Sequence, residues 1–251
     1  WAHPFKKIHT QNRTFYSSPR DSKPVAMMNQ LGLFFYAEDD MAQVLELPYA
    51  AGEMAMVFVL PRETGSLGRV ERVFGQERYR DWMSALSERQ VDVTLPRFKT
   101  TTDMDLAGVM SAMGMPGVFS EAADFSGMSN DPRGLLISGM IHKTFIDVTE
   151  EGTEASAVTA VDMTRQGIFF DETDVGTVVF RADHPFLFLI RDRRTDTILF
   201  MGRVMDPGVG PQVVRDVLSG MWSQVVGQAL QVQKEVLSEK QGSGNSTGQG
   251  L

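Results

Sequence analysis

One connection between two predicted strands reads Glu150-Glu151-Gly152-Thr153-Glu154-Ala155-Ser156-Ala157 and continues through Val158-Thr159-Ala160. It follows the strand-like run Ile141–Val148, and the chain becomes strand-like again at Phe186. Surface connections are usually rich in Gly, Pro, Asn and Asp, whereas this one is rich in Ala and Thr and contains no Pro. A period of two, which predicts a half-buried strand, places small or apolar side chains in one row: Thr153, Ala155, Ala157, Thr159, Val161 and Met163.

Two other structures are consistent with this segment taken alone. Ala-rich segments form helices, and stretches of Thr, Ala and Ser form flexible linkers. A connection that is also a latent strand would instead permit a conformational switch by strand insertion. The sequence on either side of the segment favours this third interpretation.

Motifs flank the connection along most of the chain. Two follow it, Phe180-Arg181-Ala182-Asp183-His184-Pro185-Phe186-Leu187-Phe188 and Leu199-Phe200-Met201-Gly202-Arg203-Val204-Met205-Asp206-Pro207. The motifs that precede it are Trp1…Pro4-Phe5, Met27-Met28…Gly32, Leu45-Glu46-Leu47-Pro48-Tyr49, Leu95-Pro96-Arg97-Phe98-Lys99, Ala123-Asp124-Phe125-Ser126-Gly127-Met128 and Ile141-His142-Lys143. Together with the connection they resemble the serpins, a family of serine protease inhibitors. The resemblance covers residues 1 to about 207, in order and without large gaps.

The resemblance implies an α+β fold with a mostly antiparallel, multi-sheet core, short helices and an exposed reactive loop. It also implies that an N-terminal part, carrying the first helices and half of the main sheet, is missing, since the chain begins at Trp1 without an initiator Met. We therefore expect residues 1–207 to be the C-terminal portion of a serpin domain. A secreted, extracellular protein is the family's usual setting, but a missing N-terminus carries no signal of its own.

Residues beyond Pro207 depart from the family pattern. Residues 208–212 are rich in Gly and Pro and predict a linker. Apolar pairs then recur every four residues from Val213 to Leu230, which predicts an amphipathic helix over 213–240. Such a helix would pack on the core, or else contact a partner or a membrane surface. Residues 241–251 are mostly Gly, Ser, Asn and Gln and predict disorder.

Periodicity predicts the other elements. Four strands are expected at Leu33–Tyr36, Gln43–Leu47, Met54–Leu60 and Gln90–Leu95, and a longer one over residues 135–149. A central hairpin is expected from Phe186–Arg191 and Thr197–Val204, because its first strand is apolar on both faces. Helices are expected at Ser66–Phe74, with Ser66 as N-cap, at Glu77–Leu86, and at Asp105–Met113, ended by Gly114.

Composition limits the function classes. A formal net charge of −8 without a dominant basic stripe argues against nucleic acid as a general partner. The chain has no Cys, which excludes thiolate metal sites and cysteine nucleophiles. It contains no phosphate loop, Gly-x-Ser-x-Gly elbow or dinucleotide motif, so we expect neither an enzyme nor a cofactor. No apolar run is long enough to predict a transmembrane helix.

Three residues are assigned to control of the main sheet by resemblance: Trp1, Arg97 and His142. Arg97 would pair with Glu150 and hold the hinge closed. The four histidines are far apart in the sequence and show no metal-ligand spacing. Because His142 lies in an apolar strand, we expect it to be a buried histidine with satisfied hydrogen bonds.

The resemblance implies suicide inhibition. A serine protease cleaves the exposed loop, residues 150–157 act as the hinge, and the cleaved loop inserts into the main sheet with the protease attached. The family's spacing from Glu150 places the cleaved bond at Gln166–Gly167, while Arg165 one residue earlier suits a trypsin-like protease. A lengthened loop also leaves Phe169 or Phe170 open to a chymotrypsin-like enzyme. The alternative is a non-inhibitory serpin that binds, stores or chaperones, and loop–sheet self-association is a further expectation.

Overall fold

The computed structural model describes residues 1–128, 134–153 and 176–208, together with the backbone of Gln212–Val213. The chain is divided into two compact units. The larger unit contains Trp1–Thr101 and Phe145–Gln212, and the smaller contains Thr102–Thr144 and Val213–Leu251.

Twelve strands and three α-helices fall within the described residues. The strands are β1 Gln11–Ser18, β2 Asp21–Glu38, β3 Ala42–Pro48, β4 Met54–Pro61, β5 Ser87–Pro96, β6 Phe98–Asp105, β7 Ile141–Thr149, β8 Gly152–Thr153, β9 Val178–Arg181, β10 Phe186–Asp192, β11 Ile198–Val204 and β12 Gln212–Val213. The helices are α1 Leu67–Val73, α2 Gln76–Ala85 and α3 Ala107–Ala112, and short 3-10 helices lie at Lys7–His9 and Gly117–Phe119.

The larger sheet has eight strands in the order β11-β10-β4-β3-β2-β5-β9, with β1 paired to β2. Its pairs are antiparallel except for the parallel pair β5 and β9. A second sheet has the order β12-β6-β7-β8. The chain is therefore dominated by strands, as the α+β prediction requires.

Apolar burial is concentrated along β4 and β10, whose residues are buried on both faces. Phe98 packs between Phe186 and Phe188, with ring centroids 5.8 and 5.4 Å away. Burial of one such side chain contributes about 1.5–3 kcal/mol to stability. The largest fully buried side chains are Phe15, Phe58, Phe180, Phe186, Phe188, Met27, Met28, Leu45, Met56, Leu60, Leu95 and Leu187.

A buried carboxylate joins β3 to β10. The Nε of Arg191 donates to Oε2 of Glu46 at 2.8 Å, and Nε of Arg193 lies 3.1 Å from Oε1 of the same residue. Glu46 is 1% exposed, so both of its oxygens need these partners to offset the loss of water. The network fixes the turn end of the β10–β11 hairpin.

The four shorter predicted strands and the hairpin are confirmed, and the three helices are confirmed within a few residues. Of the two hairpin strands, β10 is central in the sheet and β11 is not. Within the described residues, β11 pairs with no strand other than β10. Ser66 precedes α1 but does not cap it. Its backbone is not in the extended conformation that capping needs, and its hydroxyl donates to the carbonyl of Glu63 at 2.7 Å.

Two predictions for the N-terminal part of the long strand were wrong. The strand begins at Ile141 rather than residue 135, since Leu135 and Leu136 are exposed and Gly139 weakens a strand. His142 is exposed, not buried. The apolar sequence around His142 is not a reliable sign of burial here, because the flanking Ile141 and Lys143 are exposed as well.

Beyond Gly208 the structure describes only two residues. Gln212–Val213 form β12 next to β6, where the end of a linker and the start of a helix were expected. The edge of β6 offers unpaired backbone groups that a helical pattern in the sequence does not reveal. The remainder of the linker, the predicted helix and the final tail lie outside the described residues.

Candidate functional site

The candidate site is a hinge formed where β7 ends and the chain turns back as β8. Thr149 pairs with Gly152 and Val148 pairs with Thr153 in antiparallel register. Gly152 has φ 142°, a conformation that favours glycine. A Cβ atom there would lie 2.9 Å from the main-chain nitrogen of Trp1. Both the turn and the close approach therefore require glycine at this position.

The Glu150 carboxylate is buried at the centre of the hinge, with 1% of the residue exposed. Its Oε1 accepts hydrogen bonds from Nε of Arg97 at 2.8 Å and from the Thr10 hydroxyl at 2.5 Å. The predicted contact between Glu150 and Arg97 is therefore confirmed. Burial alone would raise the pKa of Glu150, but the bonds from Arg97 and Thr10 outweigh it and the pKa lies below its ordinary value.

Backbone hydrogen bonds attach the first residues of the chain to the same turn. The main-chain nitrogen of Trp1 donates to the carbonyl of Glu151 at 2.8 Å, and that of Phe5 donates to the carbonyl of Glu150 at 2.9 Å. The Glu151 side chain is exposed and pairs with Lys7 at 2.7 Å. An exposed pair of this kind contributes little to stability, so the backbone contacts position the turn.

Two stacked aromatic rings lie beside the hinge. The rings of Trp1 and Tyr49 are 5.2 Å apart and inclined by 8°. The indole Nε1 of Trp1 donates to the carbonyl of Thr149 at 2.9 Å. The Tyr49 hydroxyl lies 2.7 Å from Oγ1 of Thr153, at the start of β8. Each strand of the hinge is thus in contact with one of the two rings.

An ion pair lies behind the hinge on β6 and β7. Nζ of Lys99 is 2.6 Å from Oδ2 of Asp147, and the Asp147 side chain is 7% exposed. Asp147 precedes Val148, so its side chain points to the opposite face of β7 from that of Val148.

The structure brings together most of the predicted hinge and sheet-control residues that it describes. Trp1 and Arg97 meet the turn at Glu150–Thr153, whereas His142 belongs to the smaller unit and its assigned role stays a prediction. The hinge residues Glu154, Ala155, Ser156 and Ala157 and the cleavage candidates Arg165, Gln166 and Gly167 lie outside the described residues.

Sequence reasoning did not assign three residues of the site: Thr10, Lys7 and Tyr49. Thr10 and Lys7 carry no signal that points to a partner so far along the chain. Tyr49 does carry one, because it closes the motif Leu45–Tyr49 and comes directly after the strand predicted at Gln43–Leu47. A tyrosine at the end of a buried strand can place its hydroxyl in contact with the segment that packs against that end of the sheet.

The sequence profile of the family described as Serpin (serine protease inhibitor) matches residues 1–207. The chain belongs to the serpin family. Its hinge, β7 and the β10–β11 hairpin all lie within the matched residues. Members of this family include inhibitors and non-inhibitory proteins, so membership alone leaves the inhibitory mechanism to be tested.

Two relatives illustrate the range of organisms in which similar serpins occur. Human Serpin B3 is 39% identical over 212 residues, which cover 82% of this chain and 53% of the relative. An uncharacterized serpin-like protein of Thermococcus kodakarensis is 40% identical over 210 residues, covering 84% of this chain and 48% of the relative. The chain therefore spans about half the length of these curated relatives.

Solved serpin structures share the fold. Uncleaved ovalbumin superposes with a TM-score of 0.69 at 35% identity, covering 82% of this chain and 51% of that one. Human thyroxine-binding globulin superposes with a TM-score of 0.70 at 31% identity, covering 82% of this chain and 53% of that one. Within the residues that the structure describes, the helices are all too short or too polar to cross a membrane.

Proposed function

We propose that this chain is the C-terminal part of a serpin that inhibits a serine protease by cleavage and insertion of its loop. The observation that carries the proposal is the pairing of β8 with β7. Thr153 lies opposite Val148 in antiparallel register, so the loop leaves the hinge as the beginning of a strand. Insertion after cleavage would lengthen a strand that has already started.

The register of β8 gives the proposal a specific form. If that register continued along β7, Ala155 would lie opposite Ile146 and Ala157 opposite Thr144. Directly opposed residues lie on the same face of a sheet. Val148 and Ile146 are both buried, so the row of small residues that begins at Thr153 would face the core as the loop inserts.

The side chains in that row suit insertion for a steric reason. Ala155 and Ala157 add little volume to a packed interior, whereas a bulky or charged residue would force a clash or bury an unpaired charge. Each backbone hydrogen bond gained along the new strand contributes about 1 kcal/mol. A non-inhibitory relative supports the insertion step alone. A cleaved ovalbumin mutant has been solved with its loop inserted, at 33% identity and a TM-score of 0.69.

We propose a trypsin-like protease as the target and Arg165 as the residue that it reads. A cationic side chain fits the acidic specificity pocket of that class, and Arg165 lies one residue before the bond expected from the family's spacing. Cleavage at Gln166–Gly167 is the alternative by register. Cleavage at Phe169 or Phe170 would indicate a chymotrypsin-like target. An extracellular location for the complete protein belongs to the same proposal.

Insertion needs a wall on each side of the new strand. β7 supplies one wall, and beyond Thr149 and Val148 no described residue pairs with its free edge. The other wall would be a strand that ends near Trp1, in the N-terminal half that the relatives possess. We therefore propose that inhibition requires that half, and that this chain alone is inactive.

A non-inhibitory serpin is the second candidate function. The observation in its favour is the similarity to ovalbumin and thyroxine-binding globulin, which are non-inhibitory members. Such a protein would be cleaved in its loop without trapping the protease.

A denaturing gel separates the two candidates. The complete protein, with its N-terminal half, is mixed with trypsin, thrombin and chymotrypsin in separate reactions. We expect a band near the summed mass of inhibitor and protease with at least one trypsin-like enzyme. Complete cleavage of the loop by every protease without such a band would refute inhibition and favour the non-inhibitory function.

A further inference from the structure

We infer that the Tyr49 hydroxyl is a latch that fixes the register in which the loop enters the sheet, and that it selects a hydroxyl-bearing residue at position 153. The inference rests on the proposed function, because it concerns the regulation of the same hinge. Its basis is the 2.7 Å contact between the Tyr49 hydroxyl and Oγ1 of Thr153.

Tyr49 is held firmly enough to act as a reference point. Its ring stacks on that of Trp1 at 5.2 Å. Its main-chain nitrogen donates to the carbonyl of Met54 at 2.9 Å, and its own carbonyl accepts from the nitrogen of Gly52 at 2.8 Å. Ring and backbone are thus both fixed, which leaves the hydroxyl in one place.

The chemical state of the hydroxyl is also fixed. Burial raises the pKa of Tyr49 to about 12, although the hydrogen bond with Thr153 acts in the opposite direction. The phenol therefore keeps its proton at neutral pH and can donate or accept. A half-buried hydroxyl of Thr153 would otherwise lose hydrogen bonds to water without replacement.

Thr153 is the residue at which register matters most. It is the first side chain of the entering strand on the same face as the buried Val148. A slip of one residue would reverse the faces of every following side chain and turn the carboxylate of Glu154 toward the core. A contact that recognises Thr153 prevents the slip at the first pair, before later residues have joined.

The test compares three substitutions with a matched control. Tyr49→Phe keeps the ring and its stack but removes the hydroxyl, Thr153→Val keeps the shape of the side chain, and the double variant removes both groups. Thr153→Ser retains the hydroxyl and is the control. Hydrogen exchange of the amides of residues 148–153 is measured in the complete protein before any protease is added.

We expect exchange of the β7–β8 amides to become about fivefold faster in each single variant, the effect of losing one hydrogen bond. The double variant should exchange no faster than either single variant, and Thr153→Ser should resemble the parent. Unchanged exchange in Tyr49→Phe, or additive effects in the double variant, would overturn the latch. Because Thr153 lies in the loop, its variants leave the core intact and keep the test valid if Tyr49→Phe destabilises the fold.

A second measurement connects the latch to insertion. In the complete protein, Tyr49→Phe should allow the cleaved loop to enter in a slipped register more often, and should therefore release more cleaved inhibitor per protease trapped. An equal stoichiometry of inhibition in parent and variant would contradict that step. A protein that traps no protease, yet shows the coupled exchange effects, would refute the proposed function and leave the latch in place.

Discussion

Glu150 and Arg97 form an ion pair in which one partner is buried and the other is not. The Glu150 side chain is 2% exposed and that of Arg97 is 44% exposed. Removal of Arg97 would leave a carboxylate without its main donor in a place that water does not reach, whereas removal of Glu150 would leave an arginine that water can solvate. The two halves of the pair are therefore unequal in their effect on the hinge.

Charge reversal tests whether the pair holds the hinge. We expect Glu150→Arg to destabilise the hinge by about 2 kcal/mol and to promote loop–sheet polymers in the complete protein. The double variant Glu150→Arg with Arg97→Glu should partly restore the monomer. Size-exclusion chromatography and thermal unfolding measure both effects. Glu151→Arg is the matched control, because Glu151 is exposed and its charge contributes little. Identical elution of all four proteins would refute a holding role for the pair.

The pair also predicts how the hinge responds to acid. The pKa of Glu150 in the folded chain is below its ordinary value of 4.5. Its contribution to stability is therefore fully present above about pH 4.5 and is lost as the pH falls through the lower, folded pKa. We expect the protection of the hinge amides, measured against their intrinsic exchange rates at the same pH, to fall below about pH 4 in the parent. Glu150→Gln should remove this component of the pH dependence, and an unaltered acid response in that variant would exclude Glu150 as its source.

Substitutions in the inward-facing row test insertion itself. In the complete protein, Thr153→Arg would have to bury an unpaired charge, and Ala155→Pro would remove a backbone donor from the new strand. Both should convert an inhibitor into a substrate, which a gel records as cleaved protein in place of the complex. Glu151→Ala, outside the row, serves as the control. Unchanged stoichiometry of inhibition in both inward variants would argue against insertion.

The choice of scissile bond is tested by two neighbouring substitutions. Arg165→Ala should abolish inhibition of trypsin-like proteases, because the cationic side chain that fills their pocket is lost. Gln166→Ala should weaken inhibition only mildly. Mass spectrometry of the released peptide identifies the bond, and a peptide that begins at Ile168 or after Phe169 would show that another bond is cleaved.

The isolated chain should be unable to trap a protease. β7 carries exposed apolar side chains at Ile141 and Phe145, and among the described residues its free edge pairs only with β8. An open edge of this kind tends to pair with other chains, so we expect concentration-dependent association in sedimentation experiments. Titration against trypsin should give no gel-stable complex. Such a complex, formed by residues 1–251 alone, would overturn the requirement for an N-terminal half.

Local patterns predicted the parts of the fold in which burial follows periodicity. The strand around Gln90–Leu95 was found because apolar and polar residues alternate there, and the strand around Gln43–Leu47 because a mostly apolar run lies between two turn segments. The pattern failed at residues 135–140 and at His142, where apolar neighbours turned out to be exposed. Burial depends on what packs against a segment, and that information is not local.

The candidate site was predictable only in part for a related reason. The contact of Glu150 with Arg97 was expected from family resemblance, and the structure confirms it. The contacts of Thr10 with Glu150 and of Tyr49 with Thr153 join residues far apart in the sequence. These contacts depend on how β7 and β8 pack against the ends of other elements. The periodicity of a single segment carries no information about that packing.

The buried Asp147 behind the hinge has a consequence for the first step by which β8 would lengthen. If β8 lengthens in its present register, the first residue added is Glu154, and it arrives opposite Asp147. Like charges in opposed positions repel, and the Lys99 ammonium that now faces one carboxylate would have to serve two. In the proposed mechanism, the first step of insertion would therefore carry an electrostatic cost, and the small, neutral residues that follow would not add to it.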